Sequence, residues 1–403
     1  MMSTPSLNAQ AILMLTAPLQ VNGGAPPSEF LSLGEYSRLA HRLKEMQLQP
    51  ADLLSLGKAD RLRVCQPTLD EARLQRLLER GFLLSLAIEH WQSYSIWVVC
   101  RADAGYPRRI KTRLQESSPP VLYGCGDIGL LESGGLAVVG SRHADDALLE
   151  YSKSVGRLAA STGKTVVSGG ARGVDQAAMF GALEVEGRVC GVLADSLGKA
   201  TIHREYRDML ISGQLVLASP YDPSAKFHVG NAMQRNKLIY ALADISLVVN
   251  ADLNKGGTWA GAIEQLDRLK FIPVFARSTG RPSAGLDALR EKGALPWPNP
   301  QDGNSLEAVF NMTHAFTQGG LSLPSDDAKL LVNAMPAVLV CPEATQAPKS
   351  KGASQVPVQP PLPMEMESGN ESVPQQSARS KTKKTKKGYD VRADAPPALN
   401  LPQ

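Results

Sequence analysis

Four short segments of this chain carry cationic or hydroxyl side chains, three of them beside glycine: Gly140-Ser141-Arg142, Ser168-Gly169-Gly170-Ala171-Arg172-Gly173, Gln234-Arg235-Asn236-Lys237 and Lys255-Gly256-Gly257-Thr258. Glycine lets a ligand approach the backbone closely and reach its N–H groups. Serine and threonine add hydroxyls, and arginine can fork onto a phosphate. The chemistry on offer is anion binding, for a phosphodiester backbone or a nucleotide. Neither the Walker A loop nor the dinucleotide fingerprint is present, because the spacing and the lysine position differ. Each segment also has a plain reading. The 168–173 run suits a tight left-handed turn, Asp145, Asp146 and Asp175 suit the first turns of helices, and Arg235 suits a solvated helix face. The case therefore rests on the segments meeting at one place.

The elements between them supply that place. Apolar, β-rich runs at 136–139, 165–167, 189–193, 215–218, 245–249 and 272–275 alternate with amphipathic stretches at 148–160, 174–185, 231–242 and 259–269. Strand, helix, strand at this spacing gives right-handed βαβ units and a parallel sheet. In such a sheet, ligands bind beyond the carboxyl ends of the strands. Two of the four segments follow a strand directly, Lys255 to Thr258 follows the 245–249 run after Asn250-Ala251-Asp252 and two more residues, and Arg235-Asn236-Lys237 sits within a helix. Two further strands are expected at 95–100 and 121–123. The fold class is α/β: an extended Rossmann-like, mostly parallel sheet covered by helices, preceded by a small helical domain.

Composition divides the 403 residues into a flexible N-terminus (1–27), a small helical domain of SAM or helix-hairpin-helix type (28–93), the Rossmann-like core (94–322) and a disordered basic, proline-rich tail (323–403). Within that tail, residues 381–387 read KTKKTKK, which could alone contact nucleic acid. The formal net charge of +4 is compatible with a nucleic-acid partner but too small to establish one. Five scattered cysteines without a C-x-x-C pair argue against a disulfide framework or a zinc site, so no metal and no cofactor is expected. The apolar run at 11–15 is too short for a signal peptide, and no membrane association is expected. A cytoplasmic location follows as the expectation.

The same segments resemble the DprA/Smf family of DNA-processing proteins. Residues 138–142 (VVGSR) match its opening motif, and 168–183 (SGGARGVDQAAMFGAL) look like its glycine-rich signature. Arg235-Asn236 match its R-N pair, Gly256-Gly257-Thr258 take the place of its S-G-[ST] loop, and Asp103 to Pro107 and Pro119 to Tyr123 match its lead-in. The resemblance implies single-stranded DNA binding in a basic pocket with no catalytic residue. Ser141, Arg142, Arg172, Arg235, Asn236 and Lys237 would contact the DNA, and Gly140, Ser168, Gly169, Gly170, Gly173, Gly256, Gly257 and Thr258 would complete the loops. It also implies protection of single strands, assistance to a RecA-type recombinase during DNA uptake and recombination, and a homodimer. The chain departs from the pattern at Met179, where the family has histidine, and at Gly170. It also lacks the phenylalanine-proline before R-N; Phe227 lies some way upstream. The second reading is a nucleotide sensor or nucleoside-phosphate hydrolase. Residues 255–265 (KGGTWAGAIEQ) are reminiscent of the LOG phosphoribohydrolase loop, with Glu264 as the acid.

Overall fold

A computed structural model describes residues 4–19, 30–65 and 69–318. The expected disordered tail, 323–403, lies outside these residues, as do 1–3 and 20–27 of the expected flexible N-terminus.

Five helices come first: α1 (Leu7–Thr16), α2 (Leu33–Glu45), α3 (Lys58–Cys65), α4 (Glu71–Leu78) and α5 (Gly81–Ser93). Ser32 and Glu35 form a reciprocal capping box at the start of α2, and Asp70 caps α4. α1 corrects the expectation of a flexible N-terminus. Its apolar run is enclosed on all sides, with Ala9, Ala11, Ile12, Leu13 and Leu15 at 0–1% exposure. Arg80 explains how the helix can end inside the protein. It donates to the carbonyls of Met14 (2.8 Å), Ala17 (2.7 Å) and Pro18 (3.0 Å), acceptors that a helix terminus would otherwise leave unsatisfied.

The core follows as β1 (Trp97–Cys100), α6 (Arg108–Leu114), β2 (Val121–Gly126), β3 (Leu136–Val139), α7 (Asp146–Ser161), β4 (Val166–Ser168), α8 (Val174–Leu183) and β5 (Val189–Val192). It continues through α9 (Leu197–Thr201), α10 (Arg204–Ile211), β6 (Leu215–Ser219), α11 (Val229–Leu242), β7 (Ile245–Val248) and α12 (Gly256–Glu264). It closes with β8 (Val274–Ala276), α13 (Ala284–Glu291), β9 (Leu295–Pro296) and α14 (Gly303–Gln318). The sheet order is β1-β2-β6-β5-β4-β3-β7-β8-β9. Strands β3 to β9 are mutually parallel; β2 runs antiparallel to both β6 and β1. The expected α/β architecture is therefore present, with an antiparallel edge.

The strands are mostly apolar because both faces are covered; the serines they hold, Ser168, Ser219 and Ser246, are buried. Leu136, Val138, Leu215, Leu217, Ile245 and Leu247 join one core, which also holds the helical module. Ala137, Val139, Val216, Ala218 and Val248 join the other, beneath α11, α12 and α13. Trp91 of α5 packs edge-on against Tyr123 of β2 at 5.1 Å, so the helical module and the sheet share an interior.

The chain order positions the site. From β3 the connections step outward through β4 and β5 to β6, then return to β7 on the other side of β3. The loops after β3 and β7 therefore diverge, and a crevice opens between them at the carboxyl ends.

Candidate nucleic-acid interface

Gly140, Ser141 and Arg142 follow β3, and Gly256, Gly257 and Thr258 open α12. With Arg235 and Asn236 of α11, they line a groove of about 320 Å³. A second lobe shares Arg142, Phe227 and Arg235 and continues past β4 and β5, taking in Gly169, Gly170 and Arg172. The structure thus brings the four segments to one end of one sheet.

Several of the polar atoms hold the loops in place. Thr258 Oγ1 donates to the Gly140 carbonyl at 2.8 Å, and the Ser141 N–H donates to Asn250 Oδ1 at 2.7 Å. Asn236 Nδ2 donates to the Gly257 carbonyl at 3.0 Å. These bonds fasten the loops after β3 and β7 to each other and to α11. The backbone between them is thereby fixed before any ligand arrives.

Arg235 is the central cation. It projects from α11 at 5% exposure, and its Nε and Nη1 have no hydrogen-bond partner. Burial lowers its pKa, while neighbouring Asp175 acts to raise it. Gly169 makes the room: a Cβ there would lie 1.6 Å from Arg235 Nη1. Arg142 stands over the Phe227 ring at 4.6 Å, a cation–π pair at the rim. Arg172 is exposed on the second lobe.

Two expected contacts fall elsewhere. Ser168 is fully buried, and its hydroxyl donates to the Val138 carbonyl at 2.6 Å, joining β4 to β3. Lys237 turns toward α12, where it meets Glu264 at 3.4 Å and donates to Gln234 at 2.8 Å. Neither lines the groove. Gly173 serves the geometry of the loop, at φ +91° and against the Ser141 carbonyl, and opens α8. Glu264 is engaged by Lys237 and Arg268 rather than facing the groove.

The helix termini differ in what they offer an anion. Asp145 accepts from the Leu148 N–H, so the start of α7 is already capped by the chain itself. The start of α12 has no side-chain cap, and its first residues face the groove, where the helix dipole favours negative charge.

Asp175, in the first turn of α8, lies beneath the groove and receives the Gly140 N–H at 3.3 Å. Burial raises its carboxyl to about 6, against the opposing effects of Arg235 and the N–H groups of Gly140, Ala171 and Gly169. A carboxyl raised in the folded state favours folding fully below its unfolded value, 3.8, and loses that contribution as pH rises through 6. The stability of the wild type relative to Asp175→Asn is therefore expected to fall between about pH 4 and pH 6 and to level off above. Parallel urea unfolding series for the two proteins measure this; a constant difference across that window would contradict it.

Phe227 is one of the groove residues, with Val229 and Met233, to which the motifs gave no role. It is 48% exposed, in the loop between β6 and α11, and nothing in its local sequence distinguishes it. Its separation from Arg235 along the chain is bridged by the turn into α11. Among the described residues there is no cluster of three or more metal-ligating side chains, and no helix is long and apolar enough to cross a membrane.

Comparison with known proteins bears on this geometry. The family model described as DNA recombination-mediator protein A matches residues 97–303, just over half of the chain. Protein Smf of Escherichia coli is 34% identical over 196 residues, which cover 46% of this chain and 50% of that protein. A putative DNA processing protein DprA of Mycobacterium tuberculosis is 32% identical over 190 residues, covering 44% of this chain and 46% of that one. Protein Smf of Synechocystis is 31% identical over 160 residues, covering 38% and 39%. The chain thus spans half or less of the length of these curated relatives. Among solved structures, DNA processing protein A from Streptococcus pneumoniae superposes with a TM-score of 0.54 at 19% identity, covering 69% of this chain and 93% of that one, a likeness of fold. The matched region contains β1 to β9 and every loop of the groove, and on this ground the chain belongs to the DNA recombination-mediator protein A family, the DprA/Smf proteins.

Proposed function

We propose that the groove binds the backbone of single-stranded DNA and that the protein acts by holding the strand, without a chemical step. The observation that carries this reading is Arg235, a buried guanidinium that lines both lobes of a groove built from glycine loops and keeps two nitrogens without a partner. A buried charge without partners costs stability. A phosphate in the groove would supply the missing acceptors and recover that cost on binding.

A strand fits this site better than a mononucleotide or a duplex. Arg142 and Arg235 line both lobes, so successive phosphates can be met along one path. Phe227, Val229 and Met233 stand exposed on the rim (43–63%) and offer apolar faces to unstacked bases. Duplex readout needs a protruding helix or ribbon, whereas this site is concave. The hydrolase reading loses its acid, since Glu264 is tied to Lys237 and Arg268.

In this reading the protein shields incoming single strands in the cytoplasm during DNA uptake and recombination. It passes them to a RecA-type recombinase and works as a homodimer. Family likeness supports these finer assignments. Competition titrations test the groove assignment: single strands are expected to displace a labelled oligonucleotide at far lower concentration than duplex or mononucleotides. Equal displacement by a mononucleotide would overturn it in favour of a nucleotide site.

A further inference from the structure

The second lobe does not end at α8. At its far side Phe180 and Tyr206 stack at 6.0 Å with planes 16° apart, and His203 lies 5.5 Å from Tyr206. Lys199 of α9 lines this lobe and also a separate slot of about 180 Å³. That slot lies between α5 of the helical module and α9. His90 and Tyr94 form one wall, edge to face at 4.9 Å; Ile202, Pro223 and Ser224 form the other. Ile202 is 63% exposed there.

The placement follows from the topology. α9 leaves the carboxyl end of β5, and Pro223 and Ser224 follow the carboxyl end of β6. Strand spacing of about 4.8 Å puts β6 about 14 Å from β3 along the same edge of the sheet. Groove, second lobe and slot thus succeed one another along one edge, with Arg142, Arg172 and Lys199 set between aromatic side chains. Asp195 and Glu205 also line the second lobe, with Glu205 3.7 Å from His203 Nδ1.

We infer that a single strand held in the groove runs on along this edge and places a base in the slot between Tyr94 and Ile202, with Lys199 on the intervening phosphate. This extends the groove reading and rests on it. The slot's size carries the choice of occupant. A slot of about 180 Å³ with aromatic and aliphatic lining and Lys199 beside it suits a nucleobase and its phosphate, and is too small for a helix or strand of another protein. The helical module then becomes part of the nucleic-acid interface.

Anisotropy titrations with oligothymidylates of about 6 and about 20 nucleotides test this, within the range of single-strand site sizes. Tyr94→Ala removes the stacking face. Ile202→Glu adds a negative charge at an exposed position that the fold does not depend on, so it decides the matter if Tyr94→Ala unfolds. Each is expected to weaken the long oligonucleotide about tenfold and leave the short one unchanged. Wild-type binding of both lengths would overturn the inference, and so would equal weakening of both, which would place these residues' effect in the groove. Arg235→Met, titrated alongside, reports on the groove separately: it should weaken both lengths whatever Tyr94 and Ile202 show.

Discussion

Arg235→Met is expected to lower affinity for single-stranded DNA by about 10- to 100-fold without destabilising the fold. A hydrogen bond to a charged group contributes about 1.5–3 kcal/mol, and each 1.4 kcal/mol is a factor of ten in binding. The stability side runs the other way. In the free protein this guanidinium is 5% exposed with Nε and Nη1 unpartnered, so an apolar side chain of similar length removes a desolvation cost. Asp175 would lose its neighbouring positive charge and its carboxyl would rise further, which costs stability above about pH 6 but little near pH 5, where the carboxyl is largely neutral in both folded proteins. The expected signature is weaker binding with an unchanged or higher unfolding midpoint near pH 5. Loss of stability together with affinity would instead identify Arg235 as a structural anchor.

Gly169→Ala is expected to match that loss of affinity and to destabilise the fold as well. Its Cβ would lie 1.6 Å from Arg235 Nη1 and 2.6 Å from Asp175 Oδ2. The guanidinium must move, and it sits among fixed loops. Overpacking a filled interior costs about 1–3 kcal/mol. If the clash with Arg235 is the cause, Arg235→Met should relieve part of it. A double-mutant cycle by chemical denaturation measures this coupling, and Gly169→Ala/Arg235→Met should be more stable than Gly169→Ala alone. Strictly additive effects would mean that Gly169 is needed for the turn and not for the arginine.

Much of the fold was legible because its signal is local. The run at 136–139 became β3 at those bounds, and the runs at 189, 215 and 245 became β5, β6 and β7 within a residue. The run at 272–275 shifted to 274–276, because Pro273 has no N–H to give the ladder and takes part only through its carbonyl, which accepts from Ser246. β9, two residues long, and α9, five residues long, are too short to carry a readable pattern, and α10 is amphipathic but only eight residues long. The antiparallel pairing of β1 and β2 depends on which way each strand meets its neighbour, which apolar content does not encode. α1 was missed because an all-apolar helix shows no amphipathic stripe. Its burial depends on Arg80, more than sixty residues away.

The site was legible as a set of loops and less so as individual side chains. Glycine and arginine mark where a phosphate can be approached, but side-chain direction decides which residue reaches it. Arg235 and Lys237 are two apart on one helix, so they cannot share a face. Arg235 takes the groove and Lys237 takes Glu264. That much the helical spacing already contained. Ser168 lies inside β4, where neighbouring strands claim its hydroxyl. Phe227 had no local signal, since only the fold brings it to Arg142.

The most direct test of the groove is the salt dependence of single-strand binding with its arginines removed. Each phosphate neutralised on a single strand contributes about −0.7 to the slope of log affinity against log salt. Arg142, Arg172 and Arg235 together should account for a slope of roughly −2 on a short oligonucleotide. The protein carrying Arg142→Ala, Arg172→Ala and Arg235→Met should lose that slope and bind weakly at every salt concentration. Should the folded triple variant keep the wild-type affinity and slope, the strand binds elsewhere on the chain and the groove assignment is wrong.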